Sequence, residues 1–213
     1  MNDILFSRVV VENALYFLAL LNPASKVFLL ASQKPAFTKE QIWKISVKSS
    51  IVALVMLLGF SVIGQFLLEH VFRVQIYSLK VAGGIVLFII GLTAVRKGVF
   101  FQKDQQEHQD KTGSDDDISI VPLAAPLIAG PGTITAVISL AASSGFLQTA
   151  LALVIAILGN FFFMVASAQI GKVLEKFYAT GPLIRITGLI VAAVSVQMIL
   201  DGARDWFMAI KLP

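Results

Sequence analysis

Two short strings interrupt long apolar segments, one string in each half of the chain. They are Asn22-Pro23-Ala24-Ser25 and Gly130-Pro131-Gly132-Thr133. Proline lacks a backbone donor and clashes with the preceding helical turn, so it breaks or kinks a helix. In lipid, the polar groups that a break leaves free must find partners or line a cavity. Paired breaks within the membrane, at matching places in two halves of a chain, are typical of transporter binding sites.

The residues of both strings suit the binding of a small anionic group. A helix that starts after a break exposes free N–H groups and the positive end of its dipole, which attract a carboxylate. Ala24 and Gly132 are small enough to let a ligand approach the backbone. Ser25, Thr133 and Asn22 can donate hydrogen bonds to it. We therefore predict a substrate-binding site formed by the eight residues; the alternative is a pair of simple kinks that allow close packing.

Few ionisable residues lie within the apolar segments. Glu12 and Asp201 lie near the outer ends of their spans and can carry a coupling proton, or simply face water or pair with a nearby base. The other acidic residues are assigned to loops. Lys26 can neutralise an anionic ligand or reach the membrane surface by snorkelling, and we favour snorkelling. Asn160 and Gln197 are candidates for a transport pathway, with helix–helix hydrogen bonding as the alternative role.

Several kinds of chemistry have no support in the sequence. Cysteine is absent, and both histidines, His70 and His108, lie in polar connections. A metal site or an activated nucleophile is therefore not predicted, and neither is a cofactor or an enzymatic activity. No phosphate-binding loop is present. Basic patches with interleaved aromatic residues are also missing, so nucleic acid is not an expected partner.

The amino-acid composition indicates that the chain is embedded in a lipid bilayer. Hydrophobic residues make up 57% of the sequence and charged residues 14%. About 20 apolar residues span a membrane as a helix. Six segments qualify or nearly qualify, at about 9–32, 49–68, 76–95, 118–142, 146–170 and 182–200. The fold class is therefore an all-α membrane protein, with residues 1–213 forming a single transmembrane domain.

The two halves of the chain repeat each other. Lys80 and Gly83 begin the third span as Arg185 and Gly188 begin the sixth, at a spacing of 105 residues. Each repeat holds three spans, so the second must enter the membrane from the opposite side. We predict two inverted-topology three-helix repeats with spans one and four broken near mid-membrane. Their bounds are repeat one at about 9–95, a polar cytoplasmic linker at about 96–117 and repeat two at about 118–200.

Charge and glycine patterns complete the predicted topology. Twelve of the 17 lysine and arginine residues fall in or beside the loops after spans one, three and five. The positive-inside rule places these loops in the cytoplasm and both termini outside. Gly83, Gly84, Gly91 and Gly188 are expected to permit close helix packing. Because only the first string is followed by a lysine, the predicted site is asymmetric.

These motifs resemble the MarC family of integral membrane proteins, which includes the SnatA small neutral amino acid transporters. The first string with Leu21 is similar to the family's first-span signature, and residues 121–134 are very close to its second. Residues 80–86 resemble its Arg-x-x-Gly-Gly segment. Ala24-Ser25-Lys26 departs from the Ile-Gly-Asn type of continuation common in the family, and a lysine there could alter substrate choice.

The resemblance implies a multi-pass protein of the plasma or inner membrane. For characterised members it implies transport of glycine, alanine and similar amino acids, coupled to an ion gradient. We therefore predict a secondary transporter or exporter of small neutral amino acids that works by alternating access. The alternative is a passive channel, or a membrane protein with no transport cycle. The expected partners are a small amino acid substrate, the lipid bilayer, and protons or sodium.

Overall fold

The chain is helical throughout the residues that this computed structural model describes, which are 2–31, 37–98, 128–176 and 180–211, and no strand occurs among them. The helices are α1 (Asn2–Leu21), α2 (Pro23–Ala31), α3 (Lys39–Phe66), α4 (Ile76–Lys97), α5 (Pro131–Ser144), α6 (Phe146–Val165), α7 (Ser167–Lys176) and α8 (Thr180–Lys211). A π-helical turn at Leu67–Val71 extends α3.

Five helical segments among these residues are long and apolar enough to cross a membrane. They are Phe6–Ala31, Lys39–Val71, Ile76–Lys97, Phe146–Val165 and Gly181–Ile210. Gly132–Ser144 is a shorter apolar helix. The fourth predicted span begins at about residue 118, so its first part lies outside the described residues, as does the predicted linker from residue 99 onward. The all-helical membrane class is confirmed.

Large apolar side chains cover the outside of the bundle. Val55, Phe162 and Leu189 are each more than 60% exposed, although they lie within long apolar helices. Exposure of such an apolar surface to water is unfavourable in free energy, whereas contact with the acyl chains of a bilayer is not. The exposed surface of the bundle is therefore the surface that faces lipid.

Helices α4 and α8 pack antiparallel along a seam of small residues. A Cβ atom added to Gly84 would lie 2.9 Å from the backbone oxygen of Ser195, and one added to Gly91 would lie 2.8 Å from that of Gly188. At the far end, a Cβ on Gly202 would lie 2.7 Å from the backbone oxygen of Tyr77. The predicted close packing at the glycines is thus confirmed, and we call this contact the glycine seam.

The remaining helices surround this pair. Helix α1 packs against α6, and α3 packs against both α5 and α6. Helix α2 lies against α6, α7 and α8, while α5 also contacts α4. Two further glycines allow close contacts between helices. Gly64 of α3 abuts Ile138 of α5, and Gly171 of α7 abuts Ala31 of α2.

Several helices extend beyond the apolar segments predicted from the sequence. Thr38 caps α3 through a capping box with Gln41, so the helix begins near residue 39 instead of 49. Helix α8 runs on to Lys211 rather than ending near residue 200. The assignment of the other acidic residues to loops was therefore wrong for Glu40 and Asp205, which lie in these polar helix ends. It was also wrong for Asp3, Glu69 and Glu175, which lie in α1, the π-helical turn and α7.

Candidate functional site

The first string lies where the helix is interrupted at Asn22. Helix α1 ends at Leu21, Asn22 has a left-handed φ of 49°, and α2 begins at Pro23. Proline suits the first position of a helix because the N–H that it lacks has no partner there. Asparagine is one of the few non-glycine residues that visit the left-handed region routinely. The sequence thus places the turn at Asn22 and restarts the helix at Pro23.

Local hydrogen bonds hold this turn together. The Asn22 carbonyl oxygen accepts from the Ser25 amide at 3.1 Å and from the Ser25 hydroxyl at 2.7 Å. The Asn22 amide donates to the Leu18 carbonyl at 3.0 Å. The Ser25 hydroxyl proton is therefore engaged within the turn, and its oxygen lone pairs remain available to a ligand.

The second string begins helix α5. Gly130 precedes it in an extended conformation, with φ −74° and ψ 167°, and Pro131 takes the first helical position. Gly132 and Thr133 are buried. A Cβ atom on Gly132 would overlap the side chain of Leu87 from α4. The backbone that we predicted to be open to a ligand is thus covered by Leu87 in this conformation.

Lys26 is enclosed by the bundle. Its side chain is only 1% exposed, about one helical turn after Asn22. The snorkelling favoured from the sequence is therefore wrong. None of the ion pairs among the described residues involves Lys26. The structure consequently holds a buried lysine side chain, next to a helix N-terminus, without an acidic partner in the described part of the chain.

Other buried polar groups lack hydrogen-bond partners within the described residues. These atoms are Asn13 Nδ2, Ser46 Oγ, Ser50 Oγ, Asn160 Oδ1 and Ser167 Oγ. Asn160 is fully buried, and its Nδ2 contacts Met164 Sδ at 3.3 Å. Sequence reasoning selected Asn160 but missed Ser46 and Ser50. Their spacing of four residues, with Ser49 between them, puts them on one helix face, a signal that could have identified them.

An apolar cavity of about 480 Å³ lies beside the first string. Asn22, Pro23 and Ala24 line it, whereas no residue of the second string does. Phe163 and Ile190, each nearly half exposed, line its rim, so the cavity opens toward the lipid-facing surface. The structure therefore does not bring the two strings together around this cavity.

A polar cavity of about 340 Å³ lies nearer to the beginning of α1. Its lining includes Glu12, Asn13, Tyr16, Lys80, Ser139, Ser143 and Asp201. Glu12 and Asp201, which were selected separately from the sequence, thus face one space. Gln197 is outside the lining but donates to Asp201 Oδ1 at 2.9 Å.

Metal ligands are sparse in the described parts of the chain. These residues include no group of three or more His, Asp or Glu side chains that could hold a metal ion. The site is therefore built from helix ends, one buried cation, neutral hydroxyl and amide groups, and isolated carboxylates.

Apolar helices that enclose unpaired polar groups define a multi-pass integral membrane protein. The chain belongs to the MarC family: the model described as MarC family integral membrane protein matches residues 7–207. A UPF0056 membrane protein of Pyrococcus horikoshii is 31% identical over 91% of this chain and 93% of the relative. A UPF0056 membrane protein of Aquifex aeolicus is 33% identical over 94% of each chain. UPF0056 membrane protein YvbG of Bacillus subtilis is 33% identical over 89% of this chain and 91% of the relative. No solved structure matches the chain.

Proposed function

We propose that this protein is a secondary transporter or exporter of small neutral amino acids, of the glycine and alanine class, that works by alternating access. The observation that carries the proposal is the buried Lys26 ammonium group at the start of α2. A buried cation costs several kcal/mol unless a negative group compensates it. A substrate carboxylate would supply that charge each time it binds.

The surroundings of Lys26 favour a carboxylate as its partner. Helix α2 starts at Pro23, so its first free N–H groups and positive dipole end lie within one turn of Lys26. The Ser25 hydroxyl and the Asn22 turn lie at the same helix end. An amino acid bound there needs acceptors for its ammonium group, and serine hydroxyls and backbone carbonyls are of this type.

An inverted repeat would supply the alternating motion. Gly64 and Gly171 are 107 residues apart, and so are their contact partners Ile138 and Ala31. Likewise, α3 contacts α5, and α7 contacts α2. When the first half of the chain is matched to the second, each of these helix pairs corresponds to the other. This equivalence supports two inverted three-helix repeats, with six spans in all and spans one and four broken near mid-membrane. One repeat would then rock against the other.

The proposed setting is the plasma or inner membrane, with both termini outside. The lysine and arginine excess in alternate loops supports this orientation. Such a transporter draws on a proton or sodium gradient, because the chain has no phosphate-binding motif to use ATP.

Flux through proteoliposomes tests the proposal directly. Purified protein is reconstituted, and the uptake of labelled glycine and alanine is measured by counterflow against a trapped unlabelled pool. We expect saturable counterflow that empty vesicles do not show. Absence of counterflow for a panel of small amino acids would refute the transport proposal, and single-channel conductance without saturation would establish a passive channel instead.

A thermal-stability screen narrows the substrate independently of flux. A ligand that binds only the folded protein raises its apparent stability by mass action. We expect glycine or alanine to raise the unfolding midpoint in detergent, and the same compounds with the carboxylate amidated to leave it unchanged. Equal shifts with the acid and the amide would contradict carboxylate recognition by Lys26.

A further inference from the structure

The polar cavity contains a carboxylate without a counter-charge. Three of its lining residues are charged: Glu12, Lys80 and Asp201. Glu12 Oε1 accepts from Arg8 Nε at 2.8 Å, and Lys80 Nζ donates to Asp205 Oδ2 at 2.6 Å.

Asp201 differs from the other two charged residues. Its Oδ1 accepts from the neutral Gln197 amide at 2.9 Å, and no cation pairs with it among the described residues. The ion pairs of Glu12 and Lys80 are each neutral overall. The Asp201 carboxylate therefore leaves the cavity with one uncompensated negative charge.

Asp201 occupies an unusual position for a carboxylate. The residue lies within the candidate span Gly181–Ile210, and carboxylates in membrane spans are rare and usually functional. A monovalent cation or a proton that enters the cavity would remove the charge. The groups that face Asp201 across the cavity and carry charge or titrate are Glu12 and Tyr16 of α1 and Lys80 of α4, whereas α5 presents hydroxyl and apolar side chains.

Neutral oxygen atoms complete a ligand set for a hard cation. Ser139 and Ser143 of α5 line the cavity together with Tyr16. The Ser143 hydroxyl donates to the Ser139 backbone oxygen at 3.0 Å, so its own lone pairs remain free. Asn13 also lines the cavity, and its buried Nδ2 has no partner. The Asn13 side-chain oxygen is a further neutral acceptor at the cavity. Oxygen ligands of this kind suit hard cations.

We propose that this cavity is the coupling-cation site of the transport cycle, with the Asp201 carboxylate binding either a proton or a sodium ion. The inference rests on the proposed transport function. Helix α1 provides the connection, because Tyr16 lines the cavity and Asn22, six residues later, forms the turn beside the proposed substrate site. Occupation of the cavity changes the charge that α8 presents to α1, and so biases the position of the interrupted helix.

Proteoliposomes with imposed gradients test this site. Counterflow of labelled alanine measures transport without a net gradient, while uptake under a pH or a sodium gradient measures coupling. We expect one gradient to stimulate uptake by the unmodified protein, and which one does so distinguishes a proton from sodium. Asp201→Asn should retain counterflow and lose the stimulation. Glu69→Gln removes a partly buried carboxylate outside the cavity and should keep both counterflow and stimulation.

Each other outcome decides a different point. If Asp201→Asn retains the stimulation by a gradient, the assignment is overturned. The same holds if Glu12→Gln loses the stimulation while Asp201→Asn keeps it. Counterflow without stimulation by either gradient would refute the coupling site and leave the transport proposal standing.

If no amino acid shows counterflow, thermal unfolding still tests the site. Sodium is exchanged for N-methylglucamine at constant ionic strength, and the pH is varied separately. Asp201→Asn should abolish the cation-dependent shift of the midpoint. Equal shifts in both proteins would overturn the proposal.

Discussion

At the first string Asn22 has a φ of 49°, whereas at the second string Gly130 is extended with a φ of −74°. Ala24 lines an open apolar cavity, but its counterpart Gly132 lies beneath the Leu87 side chain. Lys26 directly follows the first string and is buried, and Ile134 occupies the corresponding position after the second. The two strings share a proline at the first position of a helix, then a small residue and a hydroxyl residue.

This difference bears on which of the two strings can bind a polar ligand. Both strings place a proline at the first position of a helix. Only the first string is followed by a lysine and lines the apolar cavity. We infer that the first string recognises the ligand, whereas the second mainly supports packing. The following predictions test this division, beginning with the largest expected effect.

Removing the charge of Lys26 should reduce transport most. A hydrogen bond to a charged group contributes about 1.5–3 kcal/mol, so Lys26→Gln should lower counterflow roughly 10- to 100-fold. Lys172→Gln on the exposed face of α7 is the matched control and should have no effect. Equal losses in both variants would show that the buried position of Lys26 carries no special role.

The same residue should limit stability. Replacing Lys26 by Met removes a buried charge at similar volume and should stabilise the fold by about 1–4 kcal/mol. For a chain of this size the thermal midpoint would rise by at least about 2 °C. Ile134→Met is the corresponding change in the second string and should leave the midpoint nearly unchanged. A fall in the midpoint of Lys26→Met would mean that the lysine stabilises the folded state.

The second string should be sensitive to volume instead. Gly132→Ala places a methyl group against Leu87 and should cost about 1–3 kcal/mol through overpacking. In a Leu87→Ala background the same substitution should cost little, because the space is then open. Chemical unfolding in detergent measures both penalties. An equal penalty in the two backgrounds would exclude Leu87 as the cause.

The smallest effect should come from the backbone at Asn22. Alanine is disfavoured at a φ of 49°, so Asn22→Ala should cost about 1 kcal/mol, whereas Asn22→Gly fits this conformation without strain. The difference between the two unfolding midpoints isolates the backbone term. Identical midpoints would indicate that Asn22 does not hold the left-handed conformation in the bilayer-embedded protein.

The sequence predicts much of the fold because its main signals are local. Apolar length identifies the membrane helices, and the glycines of α4 and α8 predict close packing without naming the partner helix. Helix ends beyond the apolar segments were missed, because the capping box at Thr38 and the polar end of α8 do not register as apolar segments. Hydropathy reports the lipid-facing length and not the full helix.

The site was less predictable, because it depends on which side chains face each other. The sequence selects Glu12, Asp201 and Lys26 one at a time. That Glu12 and Asp201 share a cavity, and that Lys26 points inward, follows from the rotation of each helix. Apolar residues lie on every face of these helices, so hydropathy alone does not show which face points into the bundle. The contact between Leu87 and Gly132 was not predicted for the same reason, because nothing in the local sequence of Leu87 relates it to Gly132.

The glycine seam also has a consequence for biosynthesis. Helix α4 is complete at Lys97, but α8 begins only at Thr180. At about 5–20 residues per second, α4 waits for several seconds before the ribosome has produced its partner. During this interval the groove around Gly84 and Gly91 must be filled by lipid or by another protein. Chains that terminate before α8 would keep this groove open.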